Sequence, residues 1–537
     1  MQRDLALESS KPSLTSRVTR SGLVLLDHYG SSEGKSEQPG EFPYTRGRKV
    51  GAQTQGGWIQ RELSGEGDGK RSNEQIRYLL EHGQNGIDVI GDAPTQSMLD
   101  ADHPLALAAV GTQGVSLCRK QDYLDLFKGV PFATTSISNS APAIMALSGL
   151  VLAARDAKFP LEKLRGSVLQ GPLYTEDCSY ATHLPVAFRA RLALDCMEFC
   201  ARDMPKFHSY VEDTYFFSES GLYPIEEMAL GFLQIRYLTR TLIARGVPID
   251  SFAPRIALLV NCGMDFFEEI AKVRATRRLF AKMMRDEFGA QDDRSQSVAI
   301  SSHTSGLSLT AQQPANNIVR GALQALSLVL AGVQALEISA FDEAYRTPSE
   351  EAHLVGLRTQ QIIDIESGAA RVVDPLGGAY FIEAMTDAME RGITEKLREL
   401  ELLGDPSTLA EMGYFRGIFH DAMERGQRRV ESGELAIVGV NLLQVAEEQD
   451  TLLKEVTTRK IRTWHEQTQR IVAFKRERDV AATRSALDAI VKAVRSSENL
   501  VPIVIEALDA SATVGEIVTM MRRGLDMAPD AFDSPLP

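Results

Sequence analysis

"RIALLVNCGMDFFEEIAKVRATRRLFAKMMRDEFGAQDDRSQSVAISSHTS" occupies residues 255–305 and sets the architecture. It opens on a short apolar run (255–263), passes through a long stretch of helical period (265–288), and ends on a second short run (297–305). Strand, helix and strand in that order form a βαβ unit, which needs a parallel sheet. Working outward, the same alternation recurs. Further strand runs are "GIDVIGD" (86–92), "PFATTSIS" (131–138), "LRGSVLQG" (164–171), "FHSYVEDTYF" (207–216), "VQALEIS" (333–339) and "AARVVDP" (369–375). Helical stretches such as "SAPAIMALSGLVLAARDA" separate them. Eight βα repeats within about 300 residues predict a (β/α)8 TIM barrel, an α/β fold, over residues 76–385.

Two further segments flank the repeats. Residues 1–75 are rich in Gly, Ser, Gln and charge and read as an extended N-terminal arm. Residues 386–537 are almost wholly helical in pattern and read as a C-terminal segment packed on the barrel. Within the strands, Thr134, Ser136 and Ser138 in one run, and Ser302 and Thr304 in another, occupy alternate positions where a packed barrel carries Val, Ile or Leu. Small hydroxyl side chains facing inward leave an open bore; facing outward, they touch helices.

The 537-residue chain carries a net charge of −14, which excludes a general nucleic-acid or anionic-membrane surface. Its five cysteines form neither a disulfide framework nor a CxxC pair, so no metal site is expected; Cys196 and Cys200 read as packed thiols. The N-terminus lacks a secretory apolar centre and no run is long enough to span a bilayer, so a cytoplasmic protein is expected. GxGxxG, P-loop, HExxH and GxSxG signatures are absent. A lyase or aldolase would require a Schiff-base lysine or a metal cluster at strand ends, and neither is visible. His303, Glu219 and Glu343 follow strands, where barrel sites are built, with solvated loop residues as the plain alternative for the two acids. His208 begins a strand and reads as structural.

Several longer strings carry a resemblance. "EFPYTRG" (41–47), "RYLLEHGQNGIDVIGDAPTQSMLDADHPLA" (77–106), "SSHTSGLSLTAQQPANNIVR" (301–320), "FDEAYRTPSEEA" (341–352) and "ESGAARVVDPLGGAYFIE" (366–383) resemble the large chain of the methylmalonyl-CoA mutase family. The likeness runs from about residue 40 onward. It implies an isomerase that performs an adenosylcobalamin-dependent carbon-skeleton rearrangement of an acyl-CoA, with the pantetheine arm threading an open bore. The family's cobalamin domain carries DxHxxG, yet none of the nine histidines here has Asp two residues before it. The expectation is therefore a hetero-oligomer in which a small cobalamin-binding subunit supplies the cobalt ligand. A GTPase chaperone is a further partner that the resemblance implies.

Carried over position by position, the family's pocket departs in this chain. Its adenosyl-wedging tyrosine falls on Leu63 of "WIQRELSG", with Trp58 and Arg61 retained. Its corrin-side phenylalanine falls on Gly91, its thioester glutamine on Leu169, and its carboxylate-binding arginine on Ser179, after Cys178. Its thioester histidine falls on Phe216, beside a retained Tyr215. Substrate contacts are thus expected at Trp58, Arg61, Ser138, Ser167, Leu169, Ser179, Arg255, His303 and Gln334. Cofactor contacts are expected at Gly91, Ala93, Gln96, Cys178, Ser179, Glu219, Gly306, Glu343 and Ala344. Tyr215, Phe216 and Leu63 are expected nearest the chemistry. One of the family's CoA-phosphate arginines falls on Gly56. Burying a second carboxylate without a cation costs several kcal/mol, so an acyl group other than methylmalonyl is expected: isobutyryl, 2-hydroxyisobutyryl or bulkier. The alternative is a diverged paralogue that binds cobalamin or its partner without isomerising a CoA ester, or that uses another acyl carrier.

Overall fold

The computed structural model describes residues 37–48, 57–174, 183–345, 347–457 and 462–537. Its sheet is wholly parallel and comprises β1 (Ile59–Gln60), β2 (Leu63–Ser64), β3 (Gly86–Val89), β4 (Ser136–Asn139), β5 (Gly166–Gln170), β6 (Phe207–Asp213), β7 (Ile256–Cys262), β8 (Ala299–Thr304) and β9 (Ala335–Glu337). The order is β1-β9-β8-β7-β6-β5-β4-β3-β2. β1 pairs with β9 and β2 with β3, and only Arg61 and Glu62 separate β1 from β2. One extended run therefore closes the sheet into a barrel, as the alternation predicts.

Two strand expectations are corrected. "AARVVDP" is not a stave: Ala369–Arg371 is a single 3-10 turn, and Asp374 beyond it accepts from Arg46 Nε at 2.8 Å and pairs with Arg274. The missing stave is the run 59–64, inside the supposedly irregular arm, where polar Gln60, Arg61 and Glu62 mask a strand pattern. Likewise "FHSYVEDTYF" stops being a strand at Asp213, and Tyr215–Glu219 is a short helix.

Local chemistry explains the helical layer. The helix Phe266–Lys282 starts at Asp265, whose side chain accepts from Glu268 N, carries Glu268 and Glu269 in its first turn and ends on Lys282. It packs with Pro224–Ala244 and Tyr380–Leu402 in one large apolar cluster that includes Leu233, Ile270, Val273, Ile393 and Leu397. On the other side, Leu147 and Leu150 of Ala143–Asp156 meet Val504 and Leu508 of Leu500–Asp509, which seats the C-terminal helices on the barrel. Arg191 adds hydrogen bonds to the carbonyls of Ala493, Val494 and Glu498. No helix among the described residues is long and apolar enough to cross a membrane.

Candidate active site

The N-terminal mouth of the barrel opens into a cavity of about 520 Å³ lined by Arg48, Arg165, Lys206, His208, Arg255 and Arg294, with Asp293 the acid among its lining residues. Arg165, Lys206 and Arg255 each stand immediately before a strand, β5, β6 and β7, so three neighbouring staves deliver three cations to one rim. Burial, and next the charge of Arg255, lowers Arg48 to about 10. Burial with the charges of Arg48 and Arg255 lowers His208 to about 3, leaving it neutral. Cations that depress one another around an open cavity mark a site for an anion. Apart from Arg255, these cations escaped the sequence reading, and cations directly preceding successive strands are the signal that finds Arg165 and Lys206; His208, expected to be structural, instead lines both the mouth and the bore.

The cavity continues into the bore as a narrower space of about 80 Å³, and Ile59, Ser136, Gly166 and His208 line both. Its walls differ. Leu169, Val211, Ala257, Leu259 and Ala299 form an apolar side against which Tyr215 and Phe216 pack. The other side presents Arg61, Ser138, Ser167 and Ser301, with Ser167 Oγ donating to Ser138 Oγ at 3.0 Å. The bore is open, as expected, but the hydroxyls differ from expectation in β8: Ser301 faces inward, while Ser302 donates outward to Val260 O at 2.8 Å and Thr304 accepts from Ser339 N at 2.7 Å. Thr134 lies in an exposed turn before β4.

At the C-terminal end, Thr214 begins the turn that carries Tyr215, Phe216 and Glu219. Its hydroxyl, with one proton to give, lies within hydrogen-bond reach of Glu227 Oε1 (2.9 Å) and Leu259 O (3.0 Å), and Glu227 is paired with the fully buried Lys272 at 2.9 Å. Lys272 also donates to Asn261 O at 2.8 Å, and the Asn261 amide donates to Ser218 (2.9 Å) and Glu219 (2.8 Å). A buried ion pair thus fixes the turn from both ends. Glu219 further accepts from Ser305 Oγ (2.6 Å) and Leu307 N (2.7 Å), yet burial outweighs these bonds and raises its pKa. Tyr215 meets His303 edge-on at 4.7 Å and Phe216 at 5.4 Å, whereas Phe217 turns away into the core against Tyr174.

The expected site residues fall into groups. Arg61, Ser138, Ser167 and Leu169 line the bore; Arg255 lines the mouth. Gln334 lines the bore's N-terminal end, its side chain spent on Ile300 N and Gly332 O, both at 2.8 Å. Leu63 sits in β2 opposite Asp88. Gly306 lies under Tyr215 and Glu219: a Cβ there would stand 3.0 Å from Glu219 Oε2 and 3.4 Å from the Tyr215 hydroxyl. Glu343 accepts from Ala340 N at 3.0 Å, and burial raises it to about 7; Ala344 beside it is exposed. Gly91 and Ala93 follow β3, and Gln96 donates to Ser140 O at 2.6 Å. Trp58 is set apart, buried outside the bore with Nε1 donating to Gln360 at 2.9 Å. Cys178, Ser179 and Gly56 lie outside the described residues. Two inward acids, Asp88 and Glu337, went unnoticed in the sequence although each interrupts an apolar strand.

Comparison with known proteins places this architecture. The profile of the methylmalonyl-CoA mutase family matches residues 20–527. The chain is 34% identical over 488 residues to the 2-hydroxyisobutanoyl-CoA mutase large subunit of Aquincola tertiaricarbonis, covering 90% of this chain and 86% of that one. It is 34% identical to the methylmalonyl-CoA mutase of Rhizobium meliloti, covering 90% of this chain and 68% of that one. The mitochondrial methylmalonyl-CoA mutase of Homo sapiens is 31% identical, with 91% and 65% covered. With its parallel barrel, cation-rimmed mouth and open bore, the chain belongs to the methylmalonyl-CoA mutase family and is an isomerase of the acyl-CoA mutase type.

Proposed function

We propose that this chain is the substrate-binding large subunit of an adenosylcobalamin-dependent acyl-CoA mutase whose acyl group lacks a second carboxylate. The observation that carries this is the state of the bore's arginine. Arg61 is 5% exposed and already holds Asp88 (3.2 Å) and Glu337 (2.5 Å), and Leu169, Tyr215 and Phe216 wall the opposite side. A carboxylate on the acyl group would meet two protein carboxylates and find its cation taken.

The chain's own residues divide the work by position. The mouth cations Arg48, Arg165, Lys206, Arg255 and Arg294 hold the phosphates of the CoA nucleotide, and the Ser138–Ser167 pair offers hydroxyls along the pantetheine path. The aromatic pair and Leu169 exclude water from the acyl end. The cofactor would sit at the C-terminal face, where the turns at Gly91 and Gly306 are packed too closely for a larger residue: a Cβ at Gly91 would meet Thr95 Cγ2 at 2.7 Å. Glu219, Glu343 and Gly306 would hold that group there. When bound, adenosylcobalamin supplies a carbon radical able to take a hydrogen atom from an unactivated position. The DxHxxG histidine is supplied by a separate small subunit.

The test is substrate discrimination by the chain reconstituted with such a subunit and cofactor. The ratio of kcat/KM for isobutyryl- or 2-hydroxyisobutyryl-CoA to that for methylmalonyl-CoA should exceed about a hundredfold. A preference for methylmalonyl-CoA would refute the proposal.

A further inference from the structure

The polar wall of the bore carries a hydroxyl whose hydrogen is unspent. Ala299, Ser301 and His303 are alternate residues of β8. The first two line the bore, whereas His303 lies beyond it with the Tyr215 ring edge-on at 4.7 Å. Ser301 is therefore the last bore-lining residue of β8 before the aromatic turn closes the C-terminal end. Its register partner on β7, Leu259, belongs to the apolar wall against which Tyr215 and Phe216 pack.

Arg61 Nη2 donates to Ser301 Oγ at 2.8 Å. The guanidinium is itself held, with Asp88 Oδ2 at 3.2 Å and Glu337 Oε1 at 2.5 Å, so the direction of that bond is fixed. A hydroxyl that accepts from a cation keeps one hydrogen to give, and the charge makes it a stronger donor. No acceptor among the described residues takes that hydrogen, and Ser301 is only half-buried where it lines the bore. The Ser138–Ser167 pair, by contrast, is a neutral hydroxyl–hydroxyl bond. Across the bore, the side chains of Leu169, Val211 and Leu259 offer no polar atom, and neither does Phe216.

We infer that Ser301 holds the thioester carbonyl oxygen of the substrate through a hydrogen bond that Arg61 orients and strengthens. The inference rests on the reading of the bore as the acyl-thioester site and assigns that site its donor. A neutral acyl thioester that reaches the aromatic turn presents one strong acceptor, its carbonyl oxygen. The apolar wall gives that oxygen nothing, and an acceptor buried without a donor is costly. Ser301 supplies the hydrogen from the opposite wall, and Arg61, acting through it, is a positioning residue.

The test compares isobutyryl-CoA with S-isobutyl-CoA, a thioether in which CH2 replaces the carbonyl. Binding to the full chain is measured calorimetrically without cofactor or partner, which separates recognition from turnover. Wild type should bind the thioester at least about fivefold more tightly. In Ser301→Ala that preference should fall below about twofold with thioether affinity retained; a merely structural Ser301 would weaken both ligands alike. Infrared spectroscopy of isobutyryl-CoA labelled with carbon-13 at the carbonyl gives an independent readout of a donor at that oxygen. The stretch should move to lower wavenumber on binding to wild type and move less in Ser301→Ala. It should also move less in Arg61→Lys, which loses the fixed Nη2 donor; a full shift there would overturn the role given to Arg61. A wild-type preference under about fivefold overturns the inference, and so does a preference that survives in Ser301→Ala, because another group would then hold the oxygen. If neither ligand binds more tightly than CoA itself, the acyl reading of the bore has failed and the inference falls with it.

Discussion

Phe216 concentrates the difference between this chain and its family. It packs on the apolar side of the bore, beside Tyr215, where the resemblance places a thioester-binding histidine. Phe216→His should therefore change the ratio of kcat/KM between two accepted acyl groups by about tenfold, read from steady-state kinetics of the reconstituted enzyme; an unchanged ratio would remove Phe216 from the acyl site. Glu343 gives a prediction about pH. Its folded pKa is raised from 4.5 to about 7, chiefly by burial. The fold favours the protonated form, so this contribution to stability is complete below 4.5 and is lost as pH rises through 7. Glu343→Gln should raise the thermal midpoint relative to wild type at pH 8 and lose most of that advantage at pH 5. An equal shift at both pH values would contradict the assignment. Residues such as Phe216 and Leu169 were legible in the sequence because the flanking strings fix their alignment. Trp58 was not: alternation along the first stave turns it into the helical layer, and no motif reports which face of a two-residue strand is inward.

At the scale of elements, the βα alternation was readable because most staves are short apolar runs between long helical periods. The exceptions have physical causes. The stave 59–64 carries Arg61 and Glu62, both buried, and a buried ion cluster has no hydrophobic signature. "AARVVDP" has that signature but ends in a clamp of Asp374 with Arg46 and Arg274. Close approach between staves gives a stability test. Gly166 begins β5, and a Cβ there would fall 1.9 Å from the carbonyl oxygen of Ile137 on β4. Because that neighbour is backbone, Gly166→Ala should lower the thermal midpoint by about 5 °C or more. Lys272 carries a second test. Lys272→Met strands Glu227 and Glu269 without their cation, which costs about 3–5 kcal/mol and frees the Thr214–Glu219 turn. Kinetics should show kcat falling more than KM rises; an unaltered kcat would mean the turn holds its position without this pair.

For the whole molecule, the barrel arranges its features along one axis: cations at the N-terminal mouth, a two-walled bore, and at the C-terminal end the Tyr215–Glu219 turn with Tyr215 against His303. A net charge of −14 makes the concentration of Arg48, Arg165, Lys206, Arg255 and Arg294 at one rim an exception to the overall field. Arg48→Ala or Arg255→Ala should raise KM for an accepted CoA ester about tenfold with kcat changed less than about threefold, and wild-type KM should rise with ionic strength. A KM independent of salt and of both substitutions would move the nucleotide elsewhere. The measurement that bears most directly on the central claim is product analysis of the full chain mixed with a DxHxxG-bearing small subunit, adenosylcobalamin and a panel of neutral acyl-CoA esters. The predicted result is a carbon-skeleton isomer of at least one ester that appears only when chain, partner and cofactor are all present. Unchanged esters across the whole panel, with partner and cofactor demonstrably bound, would contradict it.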